Sequence, residues 1–283
     1  MIAVLGAGGQ LGSTFVHRMG DRCLGVTRDD LDLAQPGSID TWVESVQPDL
    51  VINCAAYTAV DAAETDSDTA RAVNAVAVGA LAETTARRGI GFVTFSTDYV
   101  FDGEKPTGYV ESDQPNPLNV YGETKHEGER LALDANPDAL IVRTSWLISS
   151  THRNFLTTML GLLADGPVKV VDDQKGRPTF AEDLVTGTLA AIEANVSGIL
   201  HLTNQGETTW YGLAREIAEL AGHDVELVQP TSSSDLDRPA LRPANSVLDS
   251  ERLRLMGVEE LPPYLEALGR IHGEMDALTG PDQ

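Results

Sequence analysis

The sequence predicts an α/β fold, a doubly wound parallel sheet with a smaller C-terminal lobe interleaved with it. Three features of the 283 residues lead there. Short apolar runs alternate with helical patterns through the first half of the chain. Three glycines, Gly6, Gly9 and Gly12, follow the first run at three-residue spacing. Beyond about residue 145 the alternation loosens and proline-containing segments take its place.

Taken in order, segments 2–5, 23–26, 50–54, 91–95 and 140–143 are apolar runs of strand length, rich in Val, Ile and Phe. Between them, 10–18, 38–47, 70–88 and 121–135 carry helical patterns. Strands of that composition alternating with helices form βαβ units, hence a parallel sheet covered on both faces. Segment 153–164 predicts a helix that stops before Gly166-Pro167. Segment 198–202 reads as one more strand. Residues 230–243 hold TSSSD and three prolines, the composition of an irregular loop. The expected division is a main domain over 1–145 and a second lobe over 146–283, with 198–202 returning to the sheet.

Hydrophobic residues make up 42% of the chain, as in soluble globular proteins. No apolar run approaches the ~18 residues that span a bilayer. The start, MIAVLGAGG, has no basic residue ahead of its apolar stretch and reads as a strand, not a signal peptide. Cys23 and Cys54 lie in apolar stretches, which fits reduced core thiols and a cytoplasmic location. The formal net charge is −23 and would repel nucleic acid. The acid is spread along the chain, and sixteen Arg stand against four Lys. Such a surface resembles proteins of salt-loving organisms, where salt screens the self-repulsion. The six histidines are scattered without ligand spacing, so no metal site emerges.

Glycine in MIAVLGAGGQLG permits a tight turn, close approach of backbone N–H groups to a pyrophosphate, and packing of the next helix on the strand. The helix then turns its positive dipole end towards the phosphates. A strand–helix turn alone needs one glycine, so a dinucleotide site of Rossmann type is the better reading. The second strand runs into Thr27-Arg28-Asp29-Asp30. An acid there suits the ribose diol of NAD, and an arginine suits a 2′-phosphate. Arg28 therefore points to NADPH, with NADH kept as the alternative that Asp29 would serve.

In NVYGETKHEGE (119–129), Tyr121 and Lys125 stand four apart, one turn above another on a helix. An ammonium beside a phenol lowers its pKa from near ~10 and permits proton exchange at neutral pH. FSTDYVFDG (95–103) follows the fourth strand, where Ser96, Thr97 and Asp98 would enter a cleft at the carboxyl ends of the strands. Alone, these are an exposed helical pair and an ordinary turn. Together, hydroxyl, phenol and ammonium make a proton-delivery set beside a hydride carrier.

GxxGxxG with YxxxK resembles the extended short-chain dehydrogenases/reductases. More narrowly, GAGGQLG (6–12), NCAAYTAVDAAE (53–64), FSTDYVFDG, NVYGETKHEGE, RTSWLI (143–148) and NFLTTML (154–160) resemble the dTDP-4-dehydrorhamnose reductase family. VVDDQKGRPT (170–179), TTWYGLAREI (208–217) and RPANS (242–246) continue the resemblance to about residue 255. It implies reduction of the C4 ketone of dTDP-4-dehydro-L-rhamnose to dTDP-L-rhamnose with NAD(P)H. Tyr121 would protonate the carbonyl oxygen, Lys125 would hold the nicotinamide ribose and tune the phenol, and Thr97 would bond the substrate oxygen. Implied cofactor contacts fall on Gly9, Gln10, Leu11, Ala56, Tyr57, Thr58 and Phe95, with Asp32 and Leu33 near the adenine. Asp98 and Trp146 would line the sugar pocket, and Asn154 and Arg177 would meet the nucleotide diphosphate. Two departures, Ile148 for an aromatic residue and Ser-Thr-His-Arg for a glycine-rich loop before Asn154, lie on the substrate side.

Nucleotide-sugar epimerases and dehydratases share this pattern. A 4,6-dehydratase uses Thr-Asp-Glu to remove water, and here Tyr99 stands third. A non-catalytic regulatory subunit of the methionine adenosyltransferase type is the rival of another class, against which the intact Thr97, Tyr121 and Lys125 set counts. The expected partner is a nucleotide-sugar substrate, with no nucleic acid, no membrane, and a homodimer left open.

Overall fold

The computed structural model describes residues 1–279. Six strands form one parallel sheet: β1 (Ile2–Leu5), β2 (Cys23–Val26), β3 (Leu50–Asn53), β4 (Gly91–Thr97), β5 (Leu140–Thr144) and β6 (Gly198–His201). Their order is β6-β5-β4-β3-β1-β2. The order reverses at β1, which pairs with β2 on one side and β3 on the other. Such a switch point leaves a crevice beyond the carboxyl ends of the strands, where ligands of doubly wound sheets bind.

The helices are α1 (Gln10–Met19), α2 (Ile39–Val46), α3 (Ala77–Arg88), α4 (Val120–Ala135), α5 (Phe155–Asp165), α6 (Ala181–Glu193) and α7 (Trp210–Leu220). Successive side chains of a strand point to opposite faces. Val4, Ile52, Val93 and Val142 accordingly pack with Phe15 of α1 and Leu184 of α6. Ala3, Leu5, Val51 and Ile141 pack on the other face with Val43 of α2 and Leu81 of α3. With both faces covered, continuous apolar runs replace alternation, which is why the strands stand out in the sequence. Each such Val, Leu, Ile or Phe side chain contributes roughly 1.5–3 kcal/mol when fully buried.

Several boundaries differ from expectation. β4 runs on to Thr97, so Ser96 and Thr97 belong to the strand end instead of the loop after it. The helix expected over 70–88 starts at Ser67 and carries a π-helical stretch, Ala72–Val76, before α3. Asn74 sits in that stretch, its amide bonded to Tyr57 and Thr124. α5 starts at Phe155 because Asn154 caps it, accepting from the Thr157 N–H. The segment 230–243 is irregular only in part, since Val228–Thr231 pairs in parallel with Val168–Val171. Pro230 is tolerated there because the pair is two strands wide and one edge of each is free.

The remaining core gathers Trp146, Ile148, Leu156 of α5, Leu213 and Ile217 of α7, and Leu268 of the helix Tyr264–Thr279. The chain beyond residue 145 also supplies β6 and α6 to the main sheet, so the two lobes are interwoven. Among the described residues no helix is long and apolar enough to cross a membrane.

Candidate active site

A cleft of about 860 Å³ runs along the carboxyl ends of β1 to β5. At its centre Gly6 has φ +74°, and a Cβ there would stand 2.7 Å from Ala55 N. A Cβ on Gly12 would stand 2.1 Å from Gly6 O, so glycine at 12 is what lets α1 start against β1. Gly9 precedes α1 without a capping side chain. The first N–H groups of that helix are therefore open to the cleft, as a phosphate site requires. Gln10 and Leu11 line the same wall. The loop that departs from the resemblance leans on this turn: Ser149 donates to Gln10 Oε1 at 3.0 Å, and a His152 ring nitrogen lies 3.2 Å from Gly8 O.

At the β2 end Arg28 lines the rim with its side chain 78% exposed, and it pairs with Asp32 at 3.3 Å. Asp30 accepts from Thr27 N and Oγ1 and is occupied in its own turn. The Arg28 guanidinium is thus the exposed cation at this end of the cleft. Leu33 and Val73 line this end as apolar wall. Ala56, Tyr57 and Thr58 form the next stretch, fixed by Asn74, which accepts from Tyr57 N at 2.9 Å and donates to Tyr57 O at 3.0 Å. Sequence reasoning missed Asn74. Its signal was a lone amide in the small apolar run AVNAVAVG.

Beyond lie Phe95, Thr97, Asp98, Tyr121 and Lys125, all lining the cleft. Asn119 caps α4 by accepting from Gly122 N at 2.8 Å, which sets the helix so that Tyr121 and Lys125 face β4. Thr97 donates to Asp98 Oδ1 at 2.9 Å. Asp98 is 2% exposed, and its Oδ2 has no hydrogen-bond partner. Burial pushes this carboxyl up to about 6 against hydrogen bonds from Ser246 and Thr97. Thr144, beside Thr97 across β4 and β5, also has an unpartnered hydroxyl.

The expected coupling of Tyr121 and Lys125 is corrected here. Lys125 Nζ donates to Phe95 O at 2.6 Å. Burial pushes the Tyr121 phenol up to about 12, opposed by the Thr97 hydroxyl. Burial drives the Lys125 ammonium down to about 8, opposed by the charge of Glu129. Burial dominates both shifts, so Tyr121 holds its proton at neutral pH. That suits a donor to a developing alkoxide, not a base.

On the substrate side Trp146 lines the cleft. Asn154 and Arg177 do not. The Asn154 amide is consumed in its own loop, donating to Ser149 O and His152 O while capping α5. Arg177 pairs with Asp249 at 3.6 Å and holds an unpartnered Nε. The glycine turn, the open helix end and the unpartnered Asp98 and Thr144 oxygens fit a dinucleotide and a hydroxylated substrate lying side by side. Among the described residues no group of His, Cys, Asp or Glu has the geometry to hold a metal ion.

A cleft that joins a glycine-rich strand–helix turn to a phenol and an ammonium four residues apart on a helix has the make-up of a short-chain dehydrogenase/reductase, an oxidoreductase class. Within it the comparisons are specific. The model of the RmlD substrate binding domain family matches residues 1–276, and the chain belongs to that family. A dTDP-4-dehydrorhamnose reductase of Burkholderia thailandensis is 40% identical over 287 residues, covering 95% of this chain and 96% of that one. A probable dTDP-4,6-dihydroxy-2-methyloxan-3-one 4-ketoreductase of Streptomyces antibioticus is 41% identical, covering 94% and 92%. The crystal structure of dTDP-4-dehydrorhamnose reductase from Bacillus anthracis in complex with NADP superposes with a TM-score of 0.93 at 34% identity, covering 96% and 98%.

Proposed function

We propose that this protein reduces the C4 ketone of dTDP-4-dehydro-L-rhamnose to dTDP-L-rhamnose, using NADPH. The observation that carries the reading is the meeting of Thr97, Tyr121 and Lys125 in one cleft of a chain similar along its length to reductases of that name. When bound, the dinucleotide supplies the hydride that adds to the carbonyl carbon. Tyr121 gives its phenolic proton to the carbonyl oxygen, which completes the alcohol. Thr97 would turn its one O–H from Asp98 to that oxygen and orient it towards the phenol. Lys125 has three N–H donors and spends one on Phe95 O, which leaves two for the ribose hydroxyls.

Gly6, Gly9, Gln10, Leu11 and Gly12 would hold the pyrophosphate with α1, and Arg28 the 2′-phosphate. Asp98 would accept from a sugar hydroxyl through its free oxygen, and the Trp146 indole would pack on the sugar. The dispersed acidic surface favours a cytoplasm rich in salt. A second reading, reduction of a different dTDP-linked 4-keto sugar, is supported by the Streptomyces relative and by the 150–153 loop. The test is NADPH and NADH oxidation at high and low potassium chloride, with dTDP-4-dehydro-L-rhamnose as substrate and product analysis. Conversion to dTDP-rhamnose supports the first reading. Cofactor binding without oxidation would sink it and leave the second, or a non-catalytic role.

A further inference from the structure

Tyr121, Lys125 and Glu129 lie at four-residue steps on α4 and form one stripe turned towards the sheet. Lys125 is 6% and Glu129 3% exposed. Among the described residues Lys125 bonds only to the neutral Phe95 carbonyl. Glu129 is gripped from β5, where Arg143 Nε and Nη2 donate to its two oxygens at 2.7 Å each. Arg143 is itself 1% exposed, lies over the Phe101 ring, and stands 3.4 Å from His201 Nε2. A planar fork of this kind fixes the carboxylate in one orientation. One buried anion, paired with Arg143, thus lies one helical turn along α4 from the buried Lys125. A pair serving stability alone is often replaceable by apolar side chains of similar volume, so burial of this one asks for another reason.

We propose that Glu129, clamped by Arg143, is a positioning residue that keeps the Lys125 ammonium charged and aimed at the cleft. This rests on the reading of Lys125 as the lysine that holds the cofactor and assists Tyr121. Burial would raise the Glu129 carboxyl, but Arg143 holds it down to about 2, so the anion persists at working pH. The other ionisable groups facing the cluster are Tyr121 and His126 on α4, Asp98 after β4, Arg143 on β5 and His201 on β6, with Glu111 beyond His201. His201 is kept neutral by burial and by Arg143, with a pKa lowered to about 4. Tyr121 keeps its proton to about 12. Neither takes over the step that Lys125 makes on the alkaline side.

The test is the pH profile of kcat/KM for NADPH oxidation. In the wild type activity falls as pH rises through the Lys125 step near about 8. Glu129→Gln removes the supporting charge and should move that limb about one pH unit lower, with a raised KM for NADPH. Because it also leaves Arg143 buried without an anion, the double variant Glu129→Met/Arg143→Met removes both charges at similar volume. It should fold, as read by circular dichroism, and show a smaller shift, because the Arg143 charge it removes opposes that of Glu129 at Lys125. Glu129→Asp, which keeps the anion, should return the limb towards the wild-type position. A folded Glu129→Gln or double variant with neither a lowered limb nor a raised KM for NADPH would overturn the proposal. Lys125→Met separates the two levels. If it retains full turnover, the reading of Lys125 fails. If it is inactive while the Glu129 variants keep the wild-type limb, only the present inference fails.

Discussion

The Trp146 indole lies flat on that of Trp210, with ring centroids 3.6 Å apart and planes 8° from parallel. Trp146 lines the cleft at φ +46°, a left-handed conformation that costs a bulky residue roughly 1–3 kcal/mol. The stack offsets that cost, as does Gly176, where a Cβ would stand 2.5 Å from the ring. Trp210→Ala should therefore lower stability by up to about 3 kcal/mol in denaturant unfolding. It should raise KM for the sugar nucleotide several-fold while kcat changes less. Unchanged KM would mean that the platform serves folding alone.

Tyr121→Phe deletes one hydroxyl and keeps the ring. General-acid catalysis contributes about 10²–10⁴-fold, so kcat should fall by at least about a hundredfold. NADPH binding, followed by fluorescence titration, should be unchanged. A variant retaining near-full turnover would remove Tyr121 from the proton-donor role.

Arg28 decides between cofactors if its exposed guanidinium meets the 2′-phosphate. A charged hydrogen bond is worth roughly 1.5–3 kcal/mol, so Arg28→Ala should raise KM for NADPH by about tenfold to a hundredfold. KM for NADH should barely move. Parallel losses for both cofactors would assign Arg28 to the fold of the β2 turn.

The Asp98 carboxyl, raised by burial to about 6, is ionised above that pH and protonated below it. A carboxylate accepts from a substrate hydroxyl, whereas a protonated Oδ2 donates. Activity should fall as pH drops through about 6, and Asp98→Asn should flatten that acid limb at a lower plateau. An acid limb that persists in Asp98→Asn would assign it to another group.

His201 gives a stability signature of its own. Its folded pKa is lowered to about 4, burial acting first and the Arg143 charge second, while an unfolded histidine titrates near ~6.5. Between these values the unfolded chain binds more protons, so stability present above ~6.5 is lost as pH falls towards 4, by up to about 3 kcal/mol. His201→Gln should flatten this window in chemical denaturation. Glu129, held down to about 2 by Arg143, well below the usual carboxylate range, adds a second loss at lower pH with the same sign.

The sheet was legible because its strands are apolar on both faces, and the glycine turn because its spacing is tied to one geometry. The π-helical stretch was not, since the bonds of Asn74 reach partners 17 and 50 residues away. Strands of two residues, such as Leu147–Ile148 and Thr179–Phe180, carry no period to detect. The Tyr121–Lys125 pair was visible, but the direction of the Tyr121 shift was not, because burial is a property of the assembled cleft. Asn154 and Arg177 belong to shared phrases, yet their side chains are spent on a cap and an ion pair. Arg143 left a mark in LIVRT, where a charge inside an apolar strand calls for a buried partner.

β6 pairs in register with β5, Gly198 beside Leu140 and His201 beside Arg143. During synthesis, a ribosome that has released the first 145 residues has therefore not yet supplied the strand that seals this edge. Until residue 201 emerges, the nascent chain presents an open, apolar strand edge of the sort that recruits wrong partners. The same weave limits recombination. A graft that exchanged everything after residue 145 for the lobe of a distant relative would bring a foreign edge strand with it, along with a foreign neighbour for Arg143. New sugar specificities are then more readily reached by changing the walls around Trp146 than by trading lobes.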